Sequence, residues 1–398
     1  MRLCFVQYGD FAETLSRRDR GEGATYRAQD YSVDWVLSRA AAGDAISVIA
    51  VGATDAYDLK REGLSLHGAP DAYTRSGSAR VTALLDQLAP THIILRTPIM
   101  GVFAWAEQHG TQLLPLLADS FIGEEGYSLR ALRDRWRARQ LAQKLNHERI
   151  PTVSNHNVAA CADLVRIGVH KEKTVPWDWP AARVPSDYTT KQLGSAPYAL
   201  LYVGMTSRPK GVGDLASAFA NDPWLRSKAV LDVVGDHEER TELEAEVKAA
   251  GVADAVRFHG KRPNDEVFER MRAADLLLVP SRHAYSEGLP GTIYEGLTVR
   301  TPIVMSDHPM FKAYLRDGEG VVFTPEADPG RLASTVRSVL TDPDRYDALS
   351  DGTAAAFERI RCPNLWHEVI EAWLAGDPDG WLAERRGAWT LPPPAVPA

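Results

Sequence analysis

Two glutamates, Glu287 and Glu295, stand in the segment SEGLPGTIYEGLTVRTPIV, Ser286 to Val304, with Gly288, Leu289, Pro290 and Gly291 directly after the first. The segment follows an apolar run, DLLLVPS, and leads into a short helical pattern and a second apolar run. Gly-Leu-Pro-Gly at a helix start leaves backbone N–H groups without intrahelical partners, which suits anionic oxygens. A carboxylate just before such a turn can accept hydrogen bonds from sugar hydroxyls, and one on the helix beyond can bridge a ribose diol. As a bare pair the glutamates read as solvated charges favoured by the helix dipole; the strand–turn–helix setting tips the reading toward a site. A second segment, YVGMTSRPKGVGDLASAF (Tyr202 to Phe219), ends a strand at Gly204, carries Arg208 and Lys210 in a loop, and opens a helix near Val212. Two cations above a strand's carboxyl end, beside a helix N-terminus, suit a diphosphate, although most Lys-Gly loops are solvated turns.

Such loops need elements to hold them. The first half has strand candidates at Leu3–Gln7, Ala45–Val51, His92–Arg96, Gln112–Leu117 and Pro151–Ser154, with helical patterns between them. The second half repeats the rhythm at Ala199–Gly204, Ala229–Gly235, Ala255–Gly260, Leu276–Pro280, Pro302–Met305 and Gly320–Thr324. Strands separated by helix-length segments imply an α/β fold of right-handed βαβ units, with parallel sheets covered on both faces. The expected plan is two doubly wound domains, residues 1–180 and 196–363, with the helical region 364–385 returning to the first. A stretch of poor periodicity, Pro176–Pro197, is the expected linker. Such sheets bind ligands at the carboxyl ends of their strands, so a cleft between the domains is the expected site.

Length and composition agree with this plan. A chain of 398 residues with 44% hydrophobic and 25% charged residues can bury two cores. A net charge of -8 and a pI near 5.8 argue against nucleic acid as a partner. Cys4, Cys161 and Cys362 show neither metal-ligand spacing nor a disulfide framework, so a reducing cytoplasm is the expected compartment. The start MRLCFVQYGDF lacks a signal-peptide pattern, and no run approaches 18 apolar residues. No metal is expected: the Asp-Pro-Asp sequences at Asp342–Asp344 and Asp377–Asp379 read as turns, and the histidines lack ligand spacing. His283, just before Glu287, is the histidine nearest the candidate chemistry.

The order of these motifs resembles the family 4 glycosyltransferases, which have the GT-B architecture of two facing Rossmann-like domains. Gly204, Arg208, Lys210 and Gly211 resemble that family's phosphate loop, and Val234-Gly235-Asp236 its strand-ending turn. FHGKR, with Lys261, resembles its loop beside the base; Ala274–Ser281 its Ala-Asp…Pro-Ser strand; and Glu287…Glu295 its paired glutamates. Thr152–Trp177 resembles its valine-serine strand, helix and Gly-Val turn. The resemblance implies a retaining, metal-independent transfer of a hexose-type sugar from a nucleotide-sugar to an acceptor hydroxyl, with no cofactor beyond the donor. It implies that Glu287 contacts the sugar and Glu295 the ribose. Arg208 and Lys210, with backbone at Leu289, Pro290 and Gly291, would hold the diphosphate, and Gly204, Gly235, Lys261 and Gly288 would complete the donor site. The cations would offset leaving-group charge as Mg²⁺ does elsewhere. Three positions depart from the pattern: Met205 stands where the family often has Arg, Ala118-Asp119 where it has His-Asp, and Pro176-Trp177-Asp178-Trp179 where it has Pro-Asn-Gly-Val.

The acceptor side is expected at the loop Tyr8–Ala28, with Gly9 and Gly23, at Asp119 and at Trp177. The plain alternative for the loop is a charged surface segment. Residues 129–149 interleave Leu129, Leu132, Trp136 and Leu145 with Arg130, Arg133, Arg135, Arg137, Arg139 and Lys144. A basic amphipathic helix of this kind can lie on anionic lipid at the inner face of a membrane; the alternative is a helix packed on the sheet with a solvated basic face. The rival functions are a nucleotide-sugar epimerase or glycan phosphorylase on the same architecture, and a catalytically silent binding subunit. The acceptor classes are an envelope glycan, a lipid carrier or a small natural product.

Overall fold

The structure is a computed structural model, in which residues 1–22, 29–119, 121, 129–285, 289–376 and 379–390 are described. The chain forms two compact units, Met1–Pro180 with Cys362–Leu391, and Ala181–Arg361.

The first unit is built on β1 (Arg2–Gln7), β2 (Ala45–Ala50), β3 (Tyr57–Arg61), β4 (Leu64–Gly68), β5 (His92–Leu95), β6 (Gln112–Leu117), β7 (Val153–His156) and β8 (Thr174–Trp177). Their order is β3-β4-β2-β1-β5-β6-β7-β8, parallel throughout except for the β3/β4 hairpin. The helix Trp366–Ala375, returning from the far end of the chain, joins this unit, sharing a core of Trp366, Val369 and Ile370 with Leu3, Phe5 and Val33.

The second unit has β9 (Tyr198–Val203), β10 (Ala229–Val234), β11 (Val256–Gly260), β12 (Leu276–Val279), β13 (Ile303–Ser306) and β14 (Val321–Thr324). All are parallel, in the order β11-β10-β9-β12-β13-β14. Parallel strands covered by helices on both faces read as continuous apolar runs; Leu-Leu-Leu-Val in β12 and Ile-Val-Met-Ser in β13 are buried at every residue. The helix Pro329–Leu340 shows the covering logic. Asp328 caps it by accepting from the Arg331 N–H, Pro329 opens it, and Leu332, Val336, Val339 and Leu340 enter the core.

In each sheet the strand order reverses beside the first strand: between β1 and β5, and between β9 and β12. Loops leaving the two strands on either side of a reversal diverge and leave a crevice at the carboxyl edge.

Local readings differ from the sequence expectation at three places. Within the expected loop Tyr8–Ala28, Phe11–Asp19 is a helix. Asp10 caps it by accepting from the Ala12 and Glu13 N–H groups, and Phe11 and Leu15, one turn apart, are buried. The arginines that mask this signal are engaged: Arg17 is buried, and Arg18 pairs with Asp30 and Asp34. The expected linker begins inside β8, whose last residues are Pro176 and Trp177, and Asp178 is stitched to the C-terminal segment by Asn364 and Trp366. The β3/β4 hairpin has no counterpart among the expected strands. Its two-residue turn sets Glu62 and Gly63 at φ +50° and +80°, the left-handed pair that such a turn requires. The basic helix expected within residues 129–149 spans Leu129–Leu145. Among the described residues no helix is long and apolar enough to cross a membrane.

Candidate functional site

In the second unit the loop after β9 and the loop after β12 are pressed together at the strand-order reversal. Gly211, with φ +77°, ends the first loop; a Cβ there would lie 2.2 Å from the Pro280 carbonyl oxygen, so only glycine fits. The Arg282 N–H donates to the Pro209 carbonyl at 2.9 Å, a backbone stitch between the two loops. Lys210 therefore arrives over the Tyr285 ring, with Nζ 4.4 Å from the ring centroid, a cation–π contact. The adjoining edge is equally tight, since a Cβ on Gly235 (φ +140°) would lie 1.7 Å from the Gly204 oxygen. The Gly204 N–H donates to Val234 and the Gly235 N–H to Gly260, carrying the sheet's hydrogen bonding into the loops.

The helix Gly291–Thr298 starts at this edge. Its Thr292 hydroxyl donates to the Val203 carbonyl at 3.1 Å, which docks the helix N-terminus on the end of β9. Leu289 is buried, Pro290 occupies the cap position, and Gly291 is exposed with open space where a Cβ would stand. N–H groups without intrahelical partners and the positive end of the dipole thus lie beside the Lys210 loop. Glu295 is half-buried on the next turn, where its Oε1 accepts from Asn264 Nδ2 at 3.2 Å. Lys261 is exposed just past β11. Glu287, Gly288 and Gly23 lie outside the described residues.

Two of the expected contact residues are held by partners within their own units. The Arg208 guanidinium faces Glu246 and, at 3.6 Å, Glu242 on the helix Arg240–Ala249, and its backbone N–H donates to Glu239. These carboxylates raise its pKa and brace the loop. Trp177 is fully buried in β8: its Nε1 donates to the Leu117 carbonyl at 3.0 Å, and its ring packs with Trp179 under the Arg96 guanidinium. An acceptor does not reach it.

Sequence reasoning missed Arg282, Tyr285 and Thr292. Arg282 forms a two-point pair with Asp214 at 2.7 and 3.0 Å, which raises its pKa. The signal that could have found Arg282 and Tyr285 is their place, in the loop that leaves the carboxyl end of β12; Thr292 is the second residue of the helix that follows.

At the carboxyl edge of the first unit, Gly9 forms the turn after β1, its carbonyl accepting from Gln7. Tyr8 is 68% exposed and rests on Gly52. Tyr73, 63% exposed, shares a hydrogen bond with Thr97 just past β5. Asp119, just past β6, has one carboxylate oxygen buried without a hydrogen-bond partner. Desolvation pushes its pKa up to about 6, against the opposing pull of the Thr97 hydroxyl and Arg96.

Residues 190–355 match the family described as Glycosyl transferases group 1. The Lys210 loop and Glu295 fall inside that span, and the Asp119 cluster falls outside it. A curated relative, D-inositol 3-phosphate glycosyltransferase of Geodermatophilus obscurus, is 30% identical over 220 residues, 52% of this chain and 45% of the relative. The 2-deoxystreptamine glucosyltransferase of Streptomyces kanamyceticus is 37% identical over 151 residues, 36% of each chain. The chain spans less than half the length of the curated relatives it matches. Among solved structures, Anabaena HepE in complex with UDP and glucose aligns with a TM-score of 0.66 at 18% identity, covering 95% of this chain and 100% of that one. WaaG, a glycosyltransferase involved in lipopolysaccharide biosynthesis, aligns at 0.62 and 21% identity, covering 93% and 98%. At these identities the likeness is one of fold, the two parallel-sheet α/β domains of GT-B glycosyltransferases.

Proposed function

We propose that this chain is a retaining, metal-independent glycosyltransferase that moves a hexose-type sugar from a nucleotide-sugar to an acceptor hydroxyl. One observation carries the reading: Lys210, the Tyr285 ring and the N-terminus of the helix Gly291–Thr298 meet where the strand order of the second unit reverses. As the bond between the anomeric carbon and the phosphate oxygen breaks, negative charge grows on the diphosphate. The Lys210 ammonium and the N–H groups of Gly291 and Thr292 offset it in place of a divalent cation. Glu295, oriented by Asn264, accepts from the ribose hydroxyls, and Glu287 contacts the transferred sugar. The departing phosphate oxygen takes the acceptor's proton on the same face, so no protein nucleophile is needed, and retention rests on the resemblance in motif order. Asp119 orients an acceptor hydroxyl on the first unit. The match of residues 190–355, and neighbours of like fold solved with UDP and with UDP-glucose, support the donor class.

A membrane-facing role for the helix Leu129–Leu145 belongs to the same proposal. Leu132 and Trp136, 49% and 62% exposed, lie one turn apart and opposite the buried Leu141 and Leu145, flanked by exposed Arg133, Arg135, Arg137 and Arg139. Anionic vesicles should bind the wild-type chain and lose it in the Trp136→Ser variant.

The deciding experiment offers UDP-, GDP- and dTDP-sugars to the purified protein and reads nucleotide release, product anomer and thermal shift. One nucleotide should stabilise the fold, and Glu287→Ala should cut turnover at least ~100-fold while leaving the melting temperature unchanged. Turnover of the Glu287 variant equal to wild type would remove that residue from the site. An isomerised donor sugar as sole product would favour the epimerase, and donor binding without turnover a silent subunit.

A further inference from the structure

A cavity of about 560 Å³ opens beside β8, the edge strand of the first sheet. It lies wholly within the first unit, between Val158 in the helix Asn157–Arg166, Pro176 in β8 and the returning segment 363–390. β8 is three strands from β5, roughly 14 Å across the sheet, so the cavity is separate from the crevice between β1 and β5. Cavities of this size hold small ligands by aromatic faces that grip and a few polar groups that orient.

Both kinds of group are present. Trp381 and Trp389 line the cavity, and each indole is fixed by contacts within the protein. The Arg385 guanidinium lies 4.1 Å from the Trp381 ring centroid, and the Lys171 ammonium 5.0 Å from that of Trp389. Trp389 Nε1 also donates to the Thr174 hydroxyl at 2.8 Å, and the Gly387 N–H donates to the Thr174 carbonyl at 2.9 Å. The polar lining is Glu368, Glu384, Arg385 and Asn364. Glu368 accepts from the Leu365 N–H at 2.8 Å, Glu384 lies 3.3 Å from Arg385, and Asn364 Nδ2 donates to the Pro176 carbonyl at 3.0 Å. A carboxylate has about four acceptor sites, so both glutamates keep capacity for ligand hydroxyls.

The charges narrow the ligand class. Two carboxylates against one guanidinium make the lining net negative, which disfavours phosphates and other anions. A cationic ligand would find the cation–π seats on both indoles already taken by Arg385 and Lys171. What fits is a neutral polyol that lays its C–H faces on indole and donates its hydroxyls to the carboxylates, which is the chemistry of a saccharide.

We propose that the cavity framed by Trp381 and Trp389 is a saccharide-binding site on the first unit, distinct from the transfer site. It holds uncharged hexose residues of a glycan and tethers that glycan to the protein. The site is independent of the donor reading, because no residue of the second unit takes part.

Titration of the full chain with maltotriose, cellotriose and chitotriose, followed by saturation-transfer NMR and calorimetry, tests the assignment. At least one trisaccharide should bind with a Kd below about 10 mM. Trp389→Ala should weaken that binding at least ~10-fold. Glu384→Gln, whose carboxylate is 74% exposed, should weaken it about threefold at an unchanged melting temperature, and it decides the matter if the Trp389 variant does not fold. Saturating UDP and inorganic phosphate should leave the trisaccharide bound. Absence of binding by all three sugars overturns the proposal, as does wild-type affinity in a folded Trp389→Ala or in Glu384→Gln. Displacement by UDP would put the sugar at the donor site, and displacement by phosphate would make the cavity an anion site; either result also overturns it. If UDP-sugars fail to bind while the trisaccharide still does, the donor reading fails and the saccharide site stands.

Discussion

The carboxyl edges of the two sheets obey one topological rule and are furnished with different chemistry. The edge of the second unit is cationic and rich in backbone donors: Lys210 over Tyr285, Arg282 on Asp214, and the start of the helix Gly291–Thr298 on β9. It is also tightly packed, with glycines at 211 and 235 where any Cβ would strike backbone. The edge of the first unit presents two exposed tyrosines, a threonine hydroxyl and a carboxyl held partly out of water. Charged donors fixed by backbone suit a polyanion, whereas aromatic hydroxyls and a carboxyl suit an uncharged or amine-bearing polyol. A shared fold thus fixes where ligands go, and the side chains at the strand ends decide which ligands these are.

The contrast can be broken by substitution. Gly235→Ala should have the largest effect, destabilising the protein by ~3 kcal/mol or more, because its Cβ would meet the Gly204 oxygen at 1.7 Å. Gly291→Ala, whose Cβ meets open space, should stay within about 0.5 kcal/mol; equal losses in denaturant titrations would refute the close-approach argument. Next in size, Lys210→Ala should weaken nucleotide-sugar binding ~100-fold, whereas Tyr73→Ala should leave donor affinity intact and raise the acceptor KM. A Tyr73 variant that loses donor affinity would erase the distinction between the edges. A further effect depends on pH. Asp119 has a folded-state pKa of about 6, above its ordinary 3.8, so the stability it contributes is full well below 3.8 and lost as pH rises from there through about 6. Asp119→Asn should therefore melt like wild type at about pH 3 and be more stable at pH 8, by up to ~3 kcal/mol. A uniform shift at both pH values would contradict this.

Much of the fold is legible in the sequence because parallel strands are continuous apolar runs. Gln112–Leu117 matches its expected bounds, and the other expected strands lie within two residues of theirs. The helix Phe11–Asp19 is hidden because Phe11 and Leu15 are the only apolar side chains it buries, against a background of arginine charge. In the candidate site, the Lys210 loop and the glutamate helix stand out as strand–turn–helix patterns. Arg208 and Trp177 do not behave as their types suggest, because each is claimed by partners distant in the chain: glutamates on another helix for Arg208, and a strand carbonyl for Trp177.

By itself the sequence determined the alternation of strand and helix, the glycines of the tight turns and the kinds of groups available at each strand end. Apolar periodicity and backbone freedom are local properties, set within a few residues of each position. Only the tertiary structure decided that β9 lies beside β12, bringing Lys210 to Tyr285 across 75 positions of chain. It also decided that His283 falls between Asp307 and Glu326 while Arg208 pairs with Glu242 and Glu246. Long charged side chains have many rotamers and take the partner that packing brings within reach, and that choice is made only when the sheet assembles.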